Sequence, residues 1–493
     1  MKCQLGLSLV VLAVLSAPHA WSQTSTDQSQ NGSTDQSQNG STDQSQSGST
    51  GQSQSNSADQ SQNGSTDQSQ QSSTGPQVAY TNSEQLPPLS LLNEVTANTG
   101  IQLLMTTGAS EIYNSPEGLS RGYWETLGRI GGGVHITQIR PTLLWNFQYY
   151  GGVGLNAVSS RGLSNYNALN QNAAANILWQ FSKHWQLAVT DNYIYTNDPF
   201  EPYLTLERVP TFNNPNPVIY IPQAVTEANV GSVNLTYQMT QRDSLTFTGG
   251  ESFQRYINTA LSANNSYTYS AGSSYQHEFS ARLSAGGGYS FTALDFGHGL
   301  ARSGIQATYL FASYQLNPNM YVSGFVGPEY TASKDIVPTF CFPGFGCFGY
   351  HAVHQAEWNV AEGATFGWSG TRNALRVGFR HQVSNGGGLL GTVRLYQLTV
   401  GYRRPLTQRW NLYAGFSYNN SLSITHSPSS DRFLNGILGT VGLSRNISQA
   451  WNASVYYASI RQSQQYILPQ SYTLGANGVG ITLQYSWGHS LGR

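Results

Sequence analysis

Charged residues are scarce in this chain of 493 residues, where they make up only 10% of the total. Lys2, Lys183 and Lys334 are the only lysines, and the formal net charge is −1, so the basic excess of a nucleic-acid-binding protein is missing. Three cysteines are too few for a disulfide-dense secreted domain. Apart from Leu5 to Leu15, no long apolar run occurs, which excludes a helical membrane protein.

The N-terminal part of the chain predicts two segments that lie outside the folded domain. Residues 1–22 are interpreted as a secretory signal, because Lys2 precedes the apolar stretch and small residues fit cleavage after Ser22. Residues 23–79 repeat variants of the octapeptide STDQSQNG, with no basic or aromatic residue. Because this segment has nothing apolar to bury, we expect a disordered tail followed by a folded domain over 80–493.

Period-2 alternation is the main pattern of the folded domain, and it predicts β-strands. One row of each strand is apolar and rich in Tyr and Trp, while the other holds mainly Gly, Ser, Thr, Asn and Gln. A soluble sandwich would carry charges on its exposed face. An aromatic apolar face backed by a polar, uncharged face is typical of an all-β, transmembrane antiparallel up-and-down barrel. The apolar rows are clearest at Val479, Ile481, Leu483, Tyr485 and Trp487, and at Trp410, Leu412, Ala414, Phe416 and Tyr418.

Short turns set the predicted number of strands. Eight of them alternate with longer connections, of which two run from Thr196 to Gln223 and from Ser333 to Tyr350. Eight turns join sixteen strands, and segments at Gly100 to Tyr113 and Leu474 to Trp487 add one strand at each end. We therefore predict 18 strands, with 16 as the alternative if the first segment is only a tether. The turns lie at Arg140–Pro141, Ser182–His184, Thr240–Asp243, Ser280–Arg282, Asn317–Asn319, Gly370–Asn373, Leu406–Arg409 and Asn446–Ala450.

Four sequence motifs narrow the class further. They are VTDNYIYTNDPF at 189–200, VSGFVGPEY at 322–330, SNGGGLLG at 384–391 and SLGR at 490–493. On these residues the chain resembles porin-like β-barrels of the bacterial outer membrane, and more narrowly uncharacterised acidobacterial-type barrel proteins. The resemblance implies an outer-membrane location with lipid contact, insertion by the barrel assembly machinery, and a periplasmic tail. Many such barrels end on an aromatic residue that this machinery reads, whereas here six residues follow Trp487.

A channel for passive diffusion of small hydrophilic solutes is the first functional hypothesis, because barrels of this size leave an aqueous lumen. Arg376, Arg380 and Arg403 fall on polar rows and form a candidate basic strip that would favour anions, and Glu357 is a candidate lumen residue of opposite sign. Alternatively, these side chains pair with one another and brace the wall. Two tyrosines also lie on polar rows, either as an aromatic rail for sugars or as filling of the wall; they are Tyr413 and Tyr456.

Other classes of function find less support in the residues. The sequence has no G-x-S-x-G, no H-E-x-x-H and no metal-spaced Cys/His set, so we expect no enzyme, catalytic residue, metal or cofactor. A TonB-type transporter is disfavoured because residues 23–79 cannot fold into a plug. The remaining alternative is a non-conducting or exporting barrel that acts as a surface receptor, an anchor or a polymer-export pore. Assembly into a homo-oligomer is left open.

Two cysteines bracket the segment CFPGFGC within the connection that starts at Ser333. Cys341 and Cys347 are the only cysteines after the signal, and envelope proteins meet an oxidising compartment. We expect a disulfide between them, which stabilises by roughly 2 kcal/mol because the ring is small. The hairpin over 334–350 would then either fold into the pore or stand at the surface.

Two acidic residues do not fit the apolar rows on which they fall. Asp191 and Glu362 each share the parity of the apolar residues of their strand. A carboxylate facing lipid near the bilayer centre is unfavourable. Either a β-bulge shifts the register at these positions, or both residues lie above the membrane.

Overall fold

A computed structural model describes residues 67–69, 100–114, 123–158, 166–196, 218–220, 225–257, 265–297, 301–342, 346–370, 372–385, 391–424, 433–465 and 471–490. This part of the chain forms twenty β-strands, and no helix in it is long and apolar enough to cross a membrane. The strands are β1 (Asp67–Ser69), β2 (Gly100–Asn114), β3 (Tyr123–Arg140), β4 (Leu143–Val158), β5 (Tyr166–Gln180), β6 (Trp185–Thr196), β7 (Val218–Tyr220), β8 (Thr226–Gln238), β9 (Asp243–Tyr256), β10 (Ser266–Ser280), β11 (Leu283–Phe296), β12 (Ala301–Asn317), β13 (Met320–Phe342), β14 (Gly346–Ser369), β15 (Ala374–Ser384), β16 (Val393–Pro405), β17 (Trp410–Ser423), β18 (Phe433–Asn446), β19 (Trp451–Gln465) and β20 (Ser471–Ser490).

Eighteen of these strands close into one antiparallel barrel, which confirms the predicted number. Consecutive wall strands pair with each other, and β2 pairs with β20 to complete the ring. Because β2 is a full member of the wall, the alternative of 16 strands is wrong. The remaining two strands, β1 and β7, form a separate two-stranded sheet. The predicted signal and, apart from β1, the predicted tail lie outside the described residues.

All eight predicted short turns connect neighbouring wall strands. Most are shaped by a hydroxyl or amide side chain that accepts hydrogen bonds from the backbone two or three residues later. At the turn between β18 and β19, the Ser448 hydroxyl accepts from the N–H groups of Ala450 and Trp451, at 3.2 and 3.1 Å. The same device recurs at Ser182, Thr240, Ser280, Asn317 and Thr407.

The connection predicted from Ser333 to Tyr350 is wrong, because most of it is strand. The ladder between β13 and β14 continues to the pair of Phe342 and Gly346, so only residues 343–345 lie between the strands. β-branched and aromatic residues at this end of β13 favour the extended backbone despite Pro338. In this register Cys341 lies directly opposite Cys347. The side chains of 335–351 are outside the described ones, so the disulfide stays a prediction.

Burial alternates along the wall strands and defines two rows of side chains. On β12, for example, Ile305 and Tyr309 lie on one face and are buried, while Leu310 lies on the opposite face and is 69% exposed. We call the row of exposed apolar residues the outer row and the opposite row the inner row. The outer row is bounded at the short-turn end by aromatic pairs such as Trp451 and Tyr485, and at the other end by pairs such as Tyr330 and Trp358.

Candidate functional site

The inner rows of β4, β5, β6, β8 and β9 form a continuous uncharged surface, which we call the uncharged arc. Among the side chains that the structure describes there, none is Asp, Glu, Lys or Arg. Hydroxyl and amide groups bond to each other across strands. Thr190 and Ser232 lie 2.7 Å apart, and Thr248 donates to Asn234 at 3.0 Å.

A second surface, formed by the inner rows of β13–β16, carries charge, and we call it the charged arc. Arg376 and Arg380 lie on the inner row of β15, opposite Gly401 and Gln397 of β16. Arg403 lies on the inner row of β16, with its guanidinium 5.6 Å from the centre of the Tyr413 ring. Glu357 lies on the inner row of β14, opposite Thr331. The structure therefore gathers all four sequence-predicted lumen residues on adjacent strands.

The ladder between β14 and β15 ends early. It comprises eight residue pairs, from Ser369 and Ala374 up to Glu362 and His381, whereas every other ladder of the barrel has ten or more. The pairing of β15 with β16 nevertheless continues to Ser384 and Val393. Beyond His381, β15 is therefore no longer paired with β14 but remains paired with β16.

The freed end of the sheet lies inside the barrel, and we call residues 382–385, 391–395 and 421–424 the β15–β17 tip. Val383 is 0% exposed and packs in one cluster with inner-row residues of β11 and β12 and with Ile424 of the tip. The Thr392 hydroxyl contacts that of Ser303 on β12, and Asn385 donates to Ser266 on β10 at 3.4 Å. All these partners on β10–β12 belong to inner rows, so the tip packs against the inner face of this part of the wall. The cluster partners of Val383 on β11 and β12 are Leu294, Phe296 and Ile305.

Charged groups join the tip to the inner face of β13 and β14. Arg394 of the tip donates to the Glu357 carboxylate at 3.0 Å, in a pair that is partly buried. Glu329 on β13 is 0% exposed. Its Oε1 accepts from the backbone N–H of Val383 at 3.0 Å and from the Asn359 amide at 3.3 Å. The carboxylates of Glu329 and Glu357 and the guanidinium of Arg394 thus lie at the contact between the tip and the inner face of β13 and β14.

The position of Arg394 in its strand predicts a side chain on the outside of the barrel, but Arg394 contacts Glu357 on the inside. Arg394 shares the outer row of β16 with Tyr396 and Leu398. Because the tip is folded inward, this outer row faces the inner row of β14 instead of the surroundings of the barrel. Glu329 and Arg394 were both missed from the sequence. The signal available for Arg394 was a charge next to Tyr396 and Leu398 on a mainly apolar row.

The two tyrosines considered for an aromatic rail do not present their rings to a solute. Tyr413 and Tyr456 are each 3% exposed. The Tyr456 ring occupies the space that a side chain on Gly480 of the neighbouring strand would need, so a Cβ there would collide with it. The rings therefore fill the wall, which agrees with the second alternative for these residues.

Asp191 and Glu362 both lie on outer rows, and the ladders run without a bulge at either position. A register shift is therefore not the explanation. The Asp191 carboxylate accepts from the Asn229 amide at 2.8 Å. Glu362 lies 3.7 Å from the His381 imidazole, which stacks on the Tyr396 ring at 4.1 Å. Each acid is thus accompanied by a polar side chain of a neighbouring strand.

Comparison with known proteins gives a likeness of fold. No protein-family model and no curated protein matches the chain. The barrel resembles solved bacterial outer-membrane proteins, among them OpdQ of Pseudomonas aeruginosa, with 11% identity over 79% of this chain and 99% of that chain (TM-score 0.39). OccAB1 of Acinetobacter baumannii shares 10% identity over 79% of this chain and 96% of that chain (TM-score 0.40). The ferric-catecholate import receptor Fiu of E. coli K12 shares 8% identity over 79% and 82%, respectively (TM-score 0.38). These values assign no function, and they give no support to the narrower acidobacterial-type resemblance.

Proposed function

We propose that this protein is an outer-membrane channel for passive diffusion of small hydrophilic solutes, with a preference for anions. The observation that carries the proposal is the closed wall of eighteen strands, with exposed apolar side chains on its outer row and polar side chains on its inner row. A barrel with this number of strands encloses an aqueous lumen when it is not plugged.

The anion preference rests on the distribution of inner-row charge. Arg376, Arg380 and Arg403 lie between the short turns and the tip, on two adjacent strands. The described side chains of the uncharged arc carry no charge of either sign, so the arginines give the two arcs different potentials. A lumen lined by cations of fixed position raises the local concentration of anions and lowers that of cations.

The proposal includes an orientation. Short turns of outer-membrane barrels face the periplasm, so the start of β2 at Gly100 is placed there, and the outer row contacts lipid. Insertion by the barrel assembly machinery belongs to the same proposal. The narrower resemblance to acidobacterial-type barrels rests on the four sequence motifs alone and does not indicate which solute is transported.

The test is the reversal potential of the full-length protein in planar bilayers under a KCl gradient. We expect its sign to show chloride preference, and the triple variant R376Q/R380Q/R403Q to bring it close to zero. Arg404→Gln is the matched control, because Arg404 follows Arg403 directly but lies on the outer row. Cation preference, or a triple variant with an unchanged reversal potential, would contradict the assignment.

A surface receptor or anchor is the second candidate, and one observation favours it. The β15–β17 tip packs against inner-row residues of β10–β12, which narrows the lumen at the end away from the short turns. A barrel that conducts under no condition, even with the tip displaced, would support this second candidate over the channel.

A further inference from the structure

We propose that the β15–β17 tip is a gate with two positions: the tucked position described above, and a wall position in which β15 continues its ladder with β14. This inference rests on the proposed channel function and concerns the regulation of the same lumen.

The wall position is available because β14 offers an extended partner. β14 runs without interruption from Gly346 to Ser369, although its pairing with β15 ends at Glu362. Continuing the register by two pairs would set Val360 opposite Val383. Backbone N–H and C=O groups of β15 would then bond to β14, as they do in the first eight pairs.

The residues of β15 in the tip have the alternation of a wall strand. Val383 continues the outer row of Val377 and Phe379, and Gln382 continues the inner row of Arg380. In the wall position Val383 would lie beside Val360, which is 48% exposed on the outer row. In the tucked position it is buried among Leu294, Phe296 and Ile305 instead. An apolar environment thus exists for Val383 in both positions, which is what a two-state element requires.

Side chains, and not a ladder with β14, hold the tucked position. The Val383 N–H donates to a carboxylate, and Arg394 pairs with Glu357. Within the described residues, Glu329 Oε2 and Arg394 Nε are buried without a hydrogen-bond partner. Unpaired buried polar atoms are unfavourable, so these two atoms weaken the side-chain contacts that hold the tucked position.

Two cysteine pairs can lock the two positions separately. Ser303→Cys with Thr392→Cys joins side chains whose hydroxyls are in contact in the tucked position. Val360→Cys with Val383→Cys can form a disulfide only in the wall position, because Val360 is exposed on the outer row while Val383 is buried inside the barrel. Both pairs are made in the chain from Gln23 onward with Cys341→Ser and Cys347→Ser, so that no other thiol is present.

Planar-bilayer conductance of each locked form, before and after reductant, tests the gate. We expect the 360–383 lock to conduct several-fold more than the 303–392 lock, and reduction to bring both forms to the same intermediate behaviour. Equal conductance of the two locks would overturn the gate while leaving the channel. So would a 360–383 pair that never oxidises under conditions that close the 303–392 pair. No conductance in any form, including the 360–383 lock, would overturn the channel and the gate together.

Discussion

The uncharged arc and the charged arc of the inner wall differ in how their buried polar side chains form hydrogen bonds. Both belong to strands of one closed ladder and both bury polar side chains. In the uncharged arc, some hydroxyls and amides bond to each other across intact ladders, as Thr190 and Ser232 do. In the charged arc, Glu329 and Glu357 bind a segment that has left its ladder. Two carboxylates therefore take over where backbone pairing between β14 and β15 ends.

The largest effect is expected from Val383→Asp. A carboxylate among Leu294, Phe296 and Ile305 would be buried without a partner, which disfavours the tucked position by about 3 kcal/mol or more, a factor above about a hundred. In the wall position the carboxylate would lie near the aromatic pair of Tyr330 and Trp358, at the edge of the outer row, where an acid costs about 1 kcal/mol or less, so conductance should rise toward the level of the 360–383 lock. Thr246→Asp is the control, because it places a carboxylate at a buried inner-row position of the uncharged arc. The Thr246 hydroxyl lies 3.2 Å from that of Thr236, so a hydrogen-bond donor is near this position. If folded V383D conducts like the wild type, the packing of Val383 does not hold the tip.

The next effect concerns the hairpin of β13 and β14, which rises from the charged arc and contains both cysteines that follow the signal. We expect Cys341 and Cys347 to resist alkylation in denatured, unreduced protein and to gain two labels after reduction, as read by mass spectrometry. Their disulfide should contribute roughly 2 kcal/mol to the stability of the hairpin. Cys341→Ser, with one remaining thiol, calibrates the labelling. Two labels without reductant would rule the bond out.

A smaller effect is expected from Glu357→Gln, which removes one partner of Arg394. The pair is partly buried, with side-chain exposures of 20% and 30%, so its loss should cost the tucked position about 1 kcal/mol, or about a fivefold change in the open-to-closed ratio. Single-channel open probability measures this ratio. Glu251→Gln, an exposed glutamate on the outer row of β9, is the matched control and should leave the ratio unchanged. Equal shifts in the two variants would mean that the Glu357 contact is not specific to gating.

The smallest effect is expected in the uncharged arc. Thr190→Val removes the hydroxyl that contacts Ser232, which should lower the free energy of unfolding by about 1 kcal/mol or less and leave conductance and selectivity as they were. Urea unfolding in lipid vesicles, followed by tryptophan fluorescence, provides the measurement. Thr126→Val on the outer row should cost nothing. A change in gating by T190V would show that the two arcs are coupled.

Local chemistry was enough to predict the barrel and its short turns. Most of the turns have a side chain such as Ser448 that accepts from the following backbone, and this preference acts within four residues. The strand at Gly100 was recovered because its alternation is also local. The connection predicted after Ser333 failed because glycine and proline suggested a loop, while cross-strand pairing between β13 and β14 extended the ladder. Pairing partners of that kind are not visible in a single segment.

The amino-acid sequence by itself determined the number of strands, the positions of the turns and which side of each strand a residue occupies, because these depend on period-2 alternation and on turn chemistry. It placed Arg376, Arg380, Arg403 and Glu357 on polar rows, where the structure has them. Only the tertiary structure decided what the rows of the tip face. Arg394 and Val383 keep the parity of outer residues, yet they contact the inner rows of β14, β11 and β12. The reason is that alternation fixes the side of a strand, whereas the surroundings of that side depend on whether the strand stays in its ladder.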